Sequence, residues 1–187
     1  MSRIHIPSVD QSLPAAKPLL AAVQQQLGVV PNLMKLLGTS PPALEGYLAL
    51  NGALAKGRLG VGLRERVALA VAEYNGCDYC LSAHTYLATH VGGMTDIEVQ
   101  AARAATAQDA PTAAVLAFAR RVVESRGQVS DADLAAVRAA GVDDASLLEI
   151  VAAVALNVLT NYVNNVAQTA IDFPVVTAGL RPMRAAA

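Results

Sequence analysis

Apolar residues recur at three- and four-residue intervals along most of the chain and nowhere alternate strictly with polar ones, so the pattern predicts helices and no half-buried strand. After an arm holding Pro7 and Pro14, a helix is expected near Pro18 to Leu27, stopped by Gly28. A short helix with Pro31 in its first turn runs through Leu37, and Ala43 to Lys56 forms the next, with Leu44, Tyr47, Leu48 and Leu54 at helical spacing. From Leu63 the residues Val67, Ala68, Val71 and Ala72 make another apolar stripe. Asn75-Gly76 is a turn signal, and a helix from Cys77 or Asp78 to His90 or Val91 follows it. Thr95 with Glu98 has capping-box spacing for a helix to about Thr106, Thr112 to Arg126 forms another, and Ser130 or Asp131 caps one ending at Ala140. The last helix, Asp144 to about Ile171, is apolar almost all round and is expected to be central and buried. The fold class is therefore all-α: a single-domain multi-helix bundle with a long C-terminal helix. Residues 1–17 form an N-terminal arm, 18–174 the helical domain and 175–187 a C-terminal tail.

The 187 residues suit one domain. With 14 basic and 15 acidic residues and no Lys/Arg cluster, nothing marks a nucleic-acid or anionic-membrane partner. Neither a signal-peptide pattern nor an unbroken apolar run of about 18 residues is present, so a soluble, cytoplasmic protein is expected. A chain that is 54% hydrophobic has more apolar surface than a monomer of this size buries, which points to a homo-oligomer.

The chemistry concentrates between Glu65 and His84. The two cysteines of the chain, Cys77 and Cys80, form a C-x-x-C pair, and His84 follows the second by four residues. At this spacing the three side chains share one helix face, the cysteines sit at the positive end of the helix, and the imidazole is placed to exchange a proton with Cys80. A tight turn at Asn75-Gly76 can fold the preceding helix back and bring Glu65 to His84, while by position alone Glu65 reads as a solvated first-turn acid complementing the helix dipole. A zinc site of the same residues is chemically conceivable, but ligands bunched on one helix do not readily close a tetrahedron, and no metal is expected. On the final helix Asn157, Asn161, Asn164 or Asn165, and Gln168 form a polar stripe. Its amides either bond within the core or an interface, or line a pocket beside the thiols, and Tyr162 is placed to cover either.

A glutamate twelve residues before C-x-x-C, with histidine four residues after it, resembles the core motif of the alkylhydroperoxidase D-like, carboxymuconolactone decarboxylase superfamily. Leu63-Arg64-Glu65, Gly93-Met94-Thr95-Asp96, Asn161-Tyr162-Val163-Asn164 and Ile171-Asp172-Phe173-Pro174 resemble its longer, peroxidase-related branch. The resemblance implies an all-helical subunit assembling as a trimer or hexamer. It further implies a cofactor-free thiol peroxidase in which Cys80 attacks a hydroperoxide, Cys77 closes the disulfide, Glu65 and His84 relay protons, and an external dithiol or thiol protein reduces the enzyme. Tyr79 stands where the best-known peroxidases carry histidine, which shortens the relay to Glu65 and His84. Two other readings are a lactone decarboxylase or isomerase, which generally needs no C-x-x-C, and a non-enzymatic redox-sensing oligomer.

Overall fold

The computed structural model describes residues 2–179, and among them it contains helices and no strand. In chain order the helices are α1 (Lys17–Leu27), α2 (Asn32–Leu37), α3 (Pro41–Leu54), α4 (Val61–Tyr74), α5 (Asp78–His90), α6 (Asp96–Arg103), α7 (Ala110–Ser125), α8 (Asp131–Ala139) and α9 (Asp144–Ala167). Local chemistry sets most of the boundaries. Thr95 and Ser130 close capping boxes with Glu98 and Asp133, Asp109 and Asp143 accept from backbone N–H groups three residues on, and Gly28 ends α1 in the left-handed region. Pro31 lies one position earlier than expected, as the N-cap of α2, and Pro41 and Pro42 open α3, where their missing N–H is of no consequence.

The central helix is α4 rather than α9. Residues Val67 through Glu73 are all buried, and α4 packs against α5, α6, α7 and α9. Three alanines, Ala68, Ala70 and Ala72, let those neighbours approach on every side. Around it Leu69, Leu81, Leu116 and Ile150 are fully enclosed, each such side chain contributing about 1.5–3 kcal/mol of hydrophobic stabilisation.

Helix α9 departs from expectation in two ways. It buries one face only, leaving Leu148, Leu159, Tyr162 and Val166 exposed. By length and composition alone it is apolar enough to cross a bilayer, but its inner face carries buried asparagines that bond within the protein. It also stops four residues early, because Gln168 takes φ 49° and the N–H groups of Gln168 and Thr169 both turn back to the Asn164 carbonyl.

The chain beyond α9 then crosses the outside of α5. Asp172 accepts from the Tyr79 hydroxyl, Val176 N–H donates to Ser82, Ala178 N–H to Asp78, and Gly179 N–H to Glu73. Of the tail expected from 175 onwards, residues 175–179 belong to this strap, and 180–187 lie outside the described residues.

Candidate functional site

The site begins with the turn between α4 and α5. Gly76, at φ 61°, donates to Glu73 O, and Cys77 N–H reaches back to Ala72 O at 3.0 Å; this is the double hydrogen bond of a Schellman turn. With its N–H so engaged, Cys77 becomes the N-cap of α5, and its sulfur accepts the Cys80 N–H at 3.3 Å. Cys77 therefore sits at the cap, one position before the first turn in which both cysteines were expected. Both thiols are free and buried.

The reversal also brings α4 alongside α5, and the His84 Nδ1–H donates to Glu65 Oε2 at 2.8 Å. From α9, Asn164 Nδ2 donates to the Cys80 sulfur at 3.2 Å, and Asn161 Oδ1 accepts from Asn75 Nδ2 at 2.8 Å. Asn165 Nδ2 bonds to Asn75 O at 3.0 Å, so the asparagine stripe anchors both the turn and one of its thiols. Asn161 Nδ2 and Asn164 Oδ1 are buried without hydrogen-bond partners.

These contacts separate the two sulfurs electrostatically. Burial pushes the Cys80 thiol up, but the Cys77 hydrogen bond, the positive His84 and the Asn164 amide outweigh it and bring Cys80 down to about 7. Cys77 is pushed far above the ordinary thiol range, first by its hydrogen bond to Cys80 and then by burial. Burial disfavours the His84 cation, yet the charge and hydrogen bond of Glu65, helped by the charge on Cys80, raise its pKa above the ordinary value. These influences favour the thiolate on Cys80 and the cation on His84, and keep the proton on Cys77.

Cys80, Glu65 and His84 line a cavity of about 80 Å³ together with Tyr47, Arg64 and Asn157. That is room for roughly three water molecules at their liquid volume. Cys77 does not line it, so of the two sulfurs only Cys80 meets a molecule held there.

Residues 41–125, which include Glu65, Cys77, Cys80 and His84 but not the asparagines of α9, match the model of the carboxymuconolactone decarboxylase family. That match and the fold make the chain similar to the alkylhydroperoxidase D-like, carboxymuconolactone decarboxylase superfamily. Among solved structures, the alkylhydroperoxidase AhpD core of a peroxidase-related protein from Ralstonia eutropha JMP134 is 26% identical, with TM-score 0.81 over 91% of this chain and 92% of that one. A peroxidase-related protein from Silicibacter sp. TM1040 is 22% identical, with TM-score 0.79 over 90% and 91%. The debrominase Bmp8 in complex with 2,3,4-tribromopyrrole is 20% identical, with TM-score 0.71 over 90% and 94%, and shares the fold. No curated protein matches the chain.

Within this AhpD-like fold the expected site residues fall into two groups. Glu65, Cys77, Cys80, His84 and Asn161 converge at the turn and cavity. The Tyr79 ring also lines the cavity, but its hydroxyl is committed elsewhere, accepting from Leu33 N–H at 3.0 Å and donating to Asp172 Oδ1 at 2.8 Å. Tyr162 lies outside the cavity lining, 56% exposed in a surface groove with Leu159 and Val166. Two cavity residues escaped sequence reasoning. Tyr47 looked like one more apolar position of α3, yet its hydroxyl is pushed up to about 12 by burial and then by the charges of Cys80 and Glu65. Arg64 looked like an ordinary first-turn cation.

Proposed function

We propose that the protein is a thiol-dependent hydroperoxide reductase. The observation that carries this reading is that Cys80 is the one thiol lining the cavity and is held as a thiolate near neutral pH, while its neighbour Cys77 keeps its proton. The Cys80 thiolate attacks the terminal oxygen of a hydroperoxide and the O–O bond breaks. His84, its Nδ1–H held by Glu65, gives its Nε2 proton to the departing alkoxide, so that an alcohol leaves and Cys80 becomes a sulfenic acid. The Cys77 sulfur then displaces the sulfenic oxygen as water, forming the S–S bond. An external dithiol reduces that disulfide and is itself oxidised.

Consumption of tert-butyl hydroperoxide with dithiothreitol tests this cycle. Wild type is expected to turn over, and Cys80→Ser to fall to background. Cys77→Ser is expected to form the sulfenic acid but to lose dithiol-driven turnover. Full activity in Cys80→Ser would transfer the attack to another group, and thiol loss without turnover would favour the redox-sensing oligomer.

The apolar face that α9 leaves exposed supports assembly of this enzyme as a homo-oligomer, with a subunit count of three or six implied by the family.

A further inference from the structure

Arg64 projects from the first turns of α4 into the lining of the thiol cavity, beside Glu65. Its Nε–H is buried and has no hydrogen-bond partner, and among the described residues no carboxylate forms an ion pair with its guanidinium. Glu65 is engaged by His84 instead. A buried donor on a permanent cation is unfavourable unless something pairs with it, and the planar fork of guanidinium N–H groups matches a carboxylate in two-point contact. Two amides, Asn51 and Asn157, face the same space, and Asn157 already spends Nδ2 on the Ala153 carbonyl at 2.8 Å. With Glu65 paired to His84, the charges that the cavity leaves unpaired are the Arg64 guanidinium and the Cys80 thiolate in its ionised form. A substrate with an electrophilic group at one end and an anion at the other is oriented by that pair.

We propose that Arg64 is a carboxylate-binding residue and that the cavity takes small acids, which in the peroxidase reading above are hydroperoxides bearing a carboxylate. The binding claim stands apart from the reaction, and the experiment separates them. Cys80 alkylation by iodoacetamide, followed by mass spectrometry, is measured with 2-hydroxy-2-methylpropanoate and with tert-butanol, two alcohols alike except for the carboxylate. The acid is expected to protect at a concentration at least about tenfold lower than tert-butanol, as one charge-assisted contact allows. Arg64→Gln is expected to abolish the difference and Arg64→Lys to keep part of it. Equal protection by the two alcohols in wild type overturns the proposal without any variant, and so does undiminished selectivity in Arg64→Gln. In a second arm, 2-hydroperoxy-2-methylpropanoate is compared with tert-butyl hydroperoxide under dithiothreitol, with the kcat/KM ratio expected to favour the acid and to fall about tenfold in Arg64→Gln. Turnover of both hydroperoxides at equal kcat/KM overturns the Arg64 assignment and leaves the peroxidase reading intact. Selective protection with turnover of neither sinks the peroxidase reading and upholds the anion site.

Discussion

Asn164 donates to the Cys80 sulfur at 3.2 Å across 84 positions of sequence, tying the long final helix to the thiol that lines the cavity. That contact helps lower the Cys80 pKa. A hydrogen bond to a charged group contributes about 1.5–3 kcal/mol, so Asn164→Leu is expected to reduce the thiolate fraction at pH 7 about tenfold or more. The rate of iodoacetamide alkylation against pH measures this directly. An unchanged midpoint would show that Asn164 is structural only.

In wild type the same alkylation profile is expected to rise through a midpoint of about 7. Glu65→Gln removes the charge that raises the His84 pKa, so the imidazole loses its proton at lower pH. With the cation gone, the Cys80 thiolate loses attraction and its own midpoint moves up. The shift is therefore toward higher pH, and a downward or absent shift would mean that His84 does not communicate the charge of Glu65 to the thiol.

How much of this was legible in sequence depended on the range of the interaction. The cysteine turn is local: Asn75-Gly76 announces the reversal, and the spacing of Cys77, Cys80 and His84 puts them on one helix. The pairing of Glu65 with His84 did not follow from the turn alone, since a glutamate in a first turn is as readily a solvated acid complementing the helix dipole; the family motif singled it out. The roles of Tyr47 and Arg64 did not follow, because a tyrosine at an apolar position and an arginine in a first turn have common structural uses. What distinguishes them is which side chains of distant helices surround them. The centrality of α4 was hidden for a related reason, since small alanines give a weak apolar signal although they permit the closest packing. Conversely, the many leucines and valines of α9 overstated its burial, because part of that apolar face is left exposed on the subunit.

That exposed face bears on assembly. Leu159, Tyr162 and Val166 share a surface groove with Ile4, and Val166 is 64% exposed. Sedimentation velocity at micromolar concentration is expected to show a defined oligomer, and Tyr162→Asp with Val166→Asp to shift it toward smaller species. A monomer in wild type would rule the assembly out.

Tyr79 provides the sharpest contrast between position and role. It lies between the two cysteines in sequence, yet its hydroxyl joins α2 to the C-terminal strap through Leu33 N–H and Asp172. Burial, followed by the Asp172 and Cys80 charges, holds its phenol well above the ordinary range, partly offset by the Leu33 N–H, so it keeps its proton at every pH at which the enzyme would work. Removing the hydroxyl leaves the buried Leu33 N–H unpaired, which costs about 1–3 kcal/mol. Tyr79→Phe is therefore expected to lower the urea midpoint by that stability while leaving the pH midpoint of Cys80 alkylation close to 7. A variant of wild-type stability whose alkylation midpoint had moved would reverse the assignment, making the hydroxyl part of the proton relay rather than a tie between α2 and the strap.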